Sequence, residues 1–293
     1  MIRASLSLSL LISGTSIAAG APDDMIRVTC AEYREPVIAA ASLSLLTLNV
    51  SHGRNTAVNQ VLVGKERTYE NLDRIAELLS ATAADVVALQ EADAPSRWSG
   101  GFDHVEYIAE QAEYPCLLHG LHSQSWMSTY GTALLSRVEL LDPGSVQFQP
   151  SPPSKQKGYV HAQLLLQTDT GAQRITLATV HFDFLSRKTR DSQVTEMVSG
   201  LLQIGGPLIV LGDINSEWHA DESHVRKLAD DLNLLAFEPE NEGLGTYKKP
   251  TGKRLDWILI SGGLEFRAYK VLPDIVADHF AVYAEVAFKE QRE

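Results

Sequence analysis

Several apolar runs of this chain end in, or lead out of, a side chain able to hold a cation or move a proton. Asn49 follows Leu-Thr-Leu, and Glu91 follows Val-Val-Ala-Leu-Gln. His181 follows Leu-Ala-Thr-Val, with Asp183 two residues on, and Asp213 and Asn215 follow Pro-Leu-Ile-Val-Leu-Gly. Asp256 precedes Trp-Ile-Leu-Ile, and Asp278-His279 precede Phe-Ala-Val-Tyr. Taken singly, an Asp or Asn after a strand is a turn residue or a helix cap, and a lone His is a structural residue. Their recurrence at strand ends, with no cysteine among them, asks for a common explanation. Carboxylate and amide oxygens are the donors that a hard cation such as Mg²⁺ takes. Imidazole beside carboxylate is the pair that transfers protons.

The elements that must position these residues begin at about Leu43. Strands are predicted over 44–50, 85–90, 114–121, 132–136, 139–149, 160–168, 174–181, 207–212, 255–260, 265–272 and 280–288, and helices over 65–81, 104–112, 186–202 and 225–232. Leu72, Ile75, Leu78 and Leu79 share one face of the first helix. Asp169-Thr-Gly between two strand runs is a hairpin signal, and the three prolines of 149–158 mark a loop. Strands outnumber helices and short turns separate most of them, which points to an α/β fold of two packed sheets flanked by helices.

Composition sets the outer limits. The 293 residues are 44% hydrophobic and 21% charged, with 20 Gly and 12 Pro, which excludes collagen-like and low-complexity chains. With 25 Lys+Arg against 37 Asp+Glu, the net charge of -12 disfavours non-specific electrostatic capture of DNA. It leaves room for a nuclease, because a bound divalent cation reverses the field locally. Cys30 and Cys116 build no disulfide scaffold and form no Cys-x-x-Cys pair; they pair in an oxidising compartment or stay as thiols. Arg3, the apolar Ser-punctuated run Leu6 to Ile17 and the small residues Ala19-Gly20-Ala21 read as a signal peptide over 1–21, too short and serine-rich for a membrane span. Residues 22–42 read as a linker or amino-terminal extension. Export makes the protein secreted or periplasmic; a start at Met25 makes it cytoplasmic.

The motifs fall in an order that resembles the endonuclease/exonuclease/phosphatase superfamily, the group of the secreted DNases, abasic-site endonucleases and neutral sphingomyelinases. Thr-Leu-Asn49, Leu-Gln-Glu91, Tyr-Gly-Thr-Ala-Leu-Leu-Ser-Arg137, Val-His181-Phe-Asp, Gly-Asp213-Ile-Asn215, Arg-Leu-Asp256-Trp and Ala-Asp278-His279 carry the resemblance, within a domain of residues 43–290. It implies a four-layer α/β-sandwich with two mainly antiparallel sheets. It also implies divalent-metal-dependent hydrolysis of a phosphoester, by expectation a phosphodiester, through in-line attack of an activated water. Glu91 would then be the main ligand of Mg²⁺ (or Mn²⁺), with Asn49 beside it. Asp213 would orient or deprotonate the water, and Asn215 would hydrogen-bond a phosphoryl oxygen. His279 would contact the phosphate with Asp256 or Asp278 as its partner, and His181 would serve the leaving-group side. Asp183 would pair with His181 if both lie on one strand. Ile214 and Trp257 depart from the family's frequent residues only in apolar side chains.

Weaker features accompany these. Lys253 and Arg254, with Tyr247-Lys248-Lys249, form a basic cluster that attracts a phosphate or is a solvated turn. Trp126 lies in a loop of 119–130 and either faces substrate or caps the core. Arg190 and Gln193 read as anchors of the helix after His181. The substrate partner is a nucleic acid, a phospholipid or a small phosphodiester, and no stable protein partner is implied. A secreted nuclease is one alternative. A sphingomyelinase-like phospholipid phosphodiesterase is another, against which no exposed aromatic hairpin is evident. A catalytically silent binding protein on the same fold would be expected to lack Glu91, Asp213 or His279, and all three are present. Mass spectrometry of the exported protein should find an amino terminus between Ala19 and Met25; an intact Met1 would contradict the signal peptide.

Overall fold

Strands such as Leu43–Asn49 and Leu208–Asp213 carry almost no exposed position, the signature of strands covered on both faces. The computed structural model describes residues 25–32, 35–247 and 252–290 and shows how that cover is built. In chain order the first elements are β1 (Ile26–Cys30), β2 (Leu43–Asn49), α1 (Lys65–Thr82), β3 (Val86–Asp93), α2 (His104–Gln111), β4 (Cys116–Gln124) and β5 (Thr129–Ser136). Then come β6 (Leu141–Gln147), β7 (Gly158–Thr168), β8 (Gly171–His181), α3 (Arg187–Ile204), β9 (Leu208–Asp213) and α4 (His224–Leu232). The last are β10 (Leu234–Ala236), β11 (Asp256–Ser261), β12 (Leu264–Val271) and β13 (Val282–Phe288).

One sheet has seven strands in the order β1-β4-β5-β3-β2-β13-β12, and the other has six in the order β10-β11-β9-β8-β7-β6. Pairings are antiparallel except β2–β3 and β8–β9, a parallel pair at the heart of each sheet. Alternation along the central strands divides the core into layers. Leu46, Leu48, Val87 and Leu89 face Leu72, Ile75 and Leu79 of α1 and Ile108 of α2. Leu45, Val86 and Ala88 face Leu177, Ile209 and Leu211 of the other sheet. On the far side Val180, Val210 and Trp257 meet Val194 and Met197 of α3 and Leu228 of α4. The result is a four-layer α/β-sandwich with two mainly antiparallel sheets, as the sequence leads one to expect. Among the described residues no helix is long and apolar enough to cross a membrane.

Element boundaries shift by a few residues, and two strands are new: β1 and the three-residue edge strand β10, which pairs with β11. The stretch read as an extension contains β1, which pairs with β4 from Ile26↔Gly120 to Cys30↔Cys116. Ile38 is buried in the inter-sheet core. Residues 22–42 are therefore not a linker along their whole length. Five residues at a sheet edge, half-exposed, give too short an alternation to register in the sequence; pairing and a disulfide define the strand. Cys30 and Cys116 are bonded to each other, which resolves the alternative left open above and closes a loop over a separation of 86 residues. The amino-terminal run and Lys248-Lys249 lie outside the described residues. Because a cross-link of this span restricts the unfolded chain, Cys30→Ser should lower the unfolding free energy by about 2–4 kcal/mol. A denaturant midpoint unchanged between Cys30→Ser and wild type would show that β1 is not fastened through this bond.

Candidate active site

Strand register alone brings three of the expected residues side by side. His181 ends β8 opposite Asp213 of β9, and Asp213 lies opposite Asp256 of β11. Gly212, at φ +140°, allows the approach to this row: a Cβ there would sit 2.2 Å from the Val180 carbonyl oxygen. Across the sheet interface Asn49 ends β2, and its Nδ2 donates to Asp213 Oδ2 at 3.1 Å.

Glu91 is aimed by a break in its strand. The β3–β5 register shifts between Gln90 and Ala92, and Glu91 adopts φ +50°. A bulge of this kind re-aims one side chain at the rim of a sheet. Its carboxylate lies 3.3 Å from His52 Nε2, 3.3 Å from an Arg54 nitrogen and 4.0 Å from His181 Nε2. His52 is turned by its other nitrogen to Asp93 Oδ1 at 2.7 Å, and Asp93 accepts from Trp98 Nε1 and the Ser99 hydroxyl. Burial pushes the Glu91 carboxyl up, but the nearby His52, His181, Lys157 and Arg54 outweigh it and hold the group well below the usual carboxylate range.

Asp213 and His279 form the other half of the site. His279 Nδ1 is 2.8 Å from Asp256 Oδ2, and its Nε2 is 3.9 Å from Asp213 Oδ2. Burial works against charging the ring, yet the carboxylates of Asp256, Asp213 and Asp278 raise its pKa to about 10. Asp213 moves up, first through burial and then through the like charge of Asp256, against the pull of His279 and the Asn49 bond. Asp256 is thus the hydrogen-bonding partner of His279. Asp278 turns instead to Arg54 at 2.8 Å and to the Ser51 hydroxyl.

His181 has a different companion from the one expected. Lys157 Nζ lies 3.1 Å from its Nδ1 and 3.3 Å from its Nε2. Near-equal distances to both ring nitrogens place the ammonium against the ring face. Burial and then the Lys157 charge hold His181 well below its ordinary pKa, so the imidazole is neutral near pH 7. Asp183 does not pair with it: β8 stops at His181, and the Asp183 carboxylate accepts the Leu185 and Ser186 N–H groups. Asn215 sits at φ +52°, where Asn is tolerated, and one amide N–H donates to Phe182 O at 3.0 Å. Its second amide N–H is left for another acceptor.

Lys253 and Arg254 do not join the cluster. Lys253 pairs with Glu217 at 3.1 Å. Arg254 is buried against the Trp257 ring and donates to Glu238 O, Phe237 O and the Tyr269 hydroxyl, which makes it a structural cation. Trp126 is 77% exposed at the β4–β5 turn and caps no core. Arg190 and Gln193 do anchor their helix, to Asp183 O and Asp183 N respectively. Sequence reasoning missed Lys157, His52, Arg54 and Asp93.

The donor set suits a divalent cation. Glu91 and Asp278 converge on one cationic group, the Arg54 guanidinium, so the pair attracts positive charge. Asp256 Oδ1 is buried without a hydrogen-bond partner, and ligand atoms of Asp213, Asp256 and His279 lie within 4.8 Å of one another. The titration of His279 gives a direct check on the geometry. A folded pKa raised above the ordinary value near 6.5 contributes stability that is complete below that pH and lost as pH rises towards 10. NMR titration of the metal-free protein should find His279 still charged at pH 8, and Asp256→Asn should lower its pKa; an unshifted His279 in that variant would contradict the pairing.

The fold occurs in a known group of proteins. No curated protein sequence matches this chain. Among solved structures, an endonuclease/exonuclease/phosphatase from Beutenbergia cavernae is 19% identical, covering 85% of this chain and 72% of that one with a TM-score of 0.66. The human Nocturnin catalytic domain with bound sulfate is 18% identical over 87% of this chain and 100% of that one, TM-score 0.65. A Bacteroides thetaiotaomicron mannosyl-6-phosphatase is 16% identical over 84% and 100%, TM-score 0.60. These likenesses show a shared fold. The sequence profile of the Endonuclease/Exonuclease/phosphatase family matches residues 46–279, and the chain belongs to that family of phosphoester hydrolases.

Proposed function

We propose that this protein hydrolyses a phosphodiester by in-line attack of water, with Mg²⁺ or Mn²⁺ held by Glu91 and Asn49. The supporting observation is the lateral row His181–Asp213–Asp256 with its charges sorted. An aspartate lies between two imidazoles, one charged through Asp256 and one neutral beside Lys157. A cation at Glu91 would supply positive charge against the phosphoryl oxygens.

The chain's own groups account for the rest. Asp213, with Oδ2 facing both histidines, orients the water and takes its proton as the new P–O bond forms. The remaining Asn215 N–H and the charged His279 donate to phosphoryl oxygens where negative charge grows. The ester P–O bond breaks on the side of Lys157 and His181, which supply positive charge and hydrogen bonds to the departing oxygen.

The test uses bis-p-nitrophenyl phosphate with Mg²⁺, Mn²⁺ or EDTA. Turnover should need the metal, and Glu91→Ala should lose both turnover and metal-dependent thermal stabilisation while staying folded; full activity in EDTA would sink the proposal. Lys157→Met should cost about 10²–10³ in kcat, the scale of losing one preorganised donor. That loss should be larger for an alkyl diester, whose leaving oxygen needs more help. An equal loss on both substrates would remove Lys157 from the leaving-group side.

A further inference from the structure

The turn after β2 passes through three consecutive left-handed residues, Ser51 at φ +48°, His52 at +54° and Gly53 at +71°. Only the last is a glycine. The other two hold a conformation that L side chains rarely adopt, and surrounding contacts must keep them there. Those contacts are specific. Ser51 N donates to Asn49 Oδ1 at 3.0 Å, Asn71 Nδ2 of α1 donates to Gly53 O at 2.8 Å, and the Ser51 hydroxyl donates to Asp278.

What this turn delivers to the site is one imidazole. The His52 ring is buried between Trp98 and Tyr130, which meet it edge-on with centroids 4.8 and 4.7 Å away. Its Nδ1 lies 2.7 Å from Asp93 Oδ1. The other Asp93 oxygen takes the Trp98 Nε1–H at 2.7 Å and the Ser99 hydroxyl, so Trp98 both packs on the ring and fixes the carboxylate that turns it. The remaining nitrogen, Nε2, lies 3.3 Å from Glu91 Oε2. With a carboxylate at each nitrogen, the ring donates on both sides.

The two Glu91 oxygens are thereby made different. Oε2 faces His52 and also Arg54, each at 3.3 Å. Oε1 faces His181 Nε2 at 4.0 Å, beyond hydrogen-bond range, and that histidine lies 3.5 Å from Asp213 Oδ2. Both donors fall on one oxygen, and the other is turned toward the strand-end row.

We propose that His52 is the positioning residue of Glu91: its ring holds Oε2 and so presents Oε1 to the divalent cation from a fixed direction. The inference rests on the reading of Glu91 as the metal ligand and adds the group that sets its affinity. A cation such as Mg²⁺ keeps much of its water and takes few carboxylates, so each one has to be placed beforehand. Glu91 hangs from a bulge and needs a second hold. Arg54 is a long side chain that also serves Asp278 and Ala57 O, whereas the His52 ring is fixed on three sides. His52 comes with Asp93 and Arg54 with Asp278, so holding Oε2 leaves the negative charge of the site in place.

A histidine that only fills the space between Trp98 and Tyr130 would give the same fold, so the test separates the two nitrogens. Mn²⁺ is titrated into the metal-free full chain, with bound ion read by electron paramagnetic resonance and the metal-free thermal midpoint measured on the same samples. His52→Asn suits the left-handed backbone and can still reach Asp93, but has nothing at the position of Nε2. It should bind Mn²⁺ about 10–100-fold more weakly, the scale of losing a group that orients a ligand, with the metal-free midpoint kept. His52→Gln carries an amide N–H as far along the side chain as Nε2 and should recover most of that loss. The deficit in turnover of His52→Asn should shrink as Mn²⁺ is raised to saturation. Wild-type Mn²⁺ affinity in His52→Asn, while Glu91→Ala loses the ion, overturns the inference and leaves the metal reading standing. Wild-type affinity in Glu91→Ala overturns that reading and the inference with it. His52→Gln binding as weakly as Glu91→Ala overturns the donor role of Nε2, whether or not His52→Asn folds.

Discussion

Asp213 and Asp256 stand opposite each other on neighbouring buried strands, and the site depends on what offsets their repulsion. Two like charges about 5 Å apart repel by roughly 3 kcal/mol at an effective dielectric of about 20. His279 answers this by bonding to Asp256 and facing Asp213, and Asn49 reaches across from the other sheet to the same Asp213 oxygen. The sheets are held in register by the apolar layer between them, where each fully buried Leu, Val or Ile contributes about 1.5–3 kcal/mol relative to exposure. Packing thus holds a charge arrangement that would not persist in water. Asp213 is left raised, His279 charged and His181 neutral.

The same logic governs Glu91. A bulge at a left-handed backbone position is a local cost, of the order of 1–3 kcal/mol, kept because it points one carboxylate out of a buried strand. Around it, His52 is turned by Asp93, and Arg54 ties Glu91 to Asp278. Strain in β3 is therefore tied to a single side-chain direction.

Much of this was legible in the sequence, for stated reasons. Asn49, Glu91, His181, Asp213 and Asp256 announce themselves together, because one polar strand end is a turn residue or a cap but the same pattern on several buried strands asks for a shared use. β1 was not legible: five half-exposed residues at an edge take their conformation from β4 and the disulfide. Lys157 was hidden in a proline-rich loop, although register could have exposed it. Counting back from the Asp169 hairpin places Gly158 opposite His181, and the next residue out is Lys157. Arg254 and Asp183 misled because charge in a sequence does not say which way a side chain turns. One stacks on Trp257, and the other caps backbone N–H groups.

On the proposed reading, the strand-end row around Asp213 is the reacting centre rather than a buried structural network. Single-turnover hydrolysis of bis-p-nitrophenyl phosphate by Asp213→Asn, with metal binding verified on the same sample, tests it most directly. The variant keeps the shape and most hydrogen bonds but cannot take a proton from water. The rate should fall by about 10²–10⁴ with fold and metal affinity retained; a rate within about twofold of wild type would make Asp213 a structural residue.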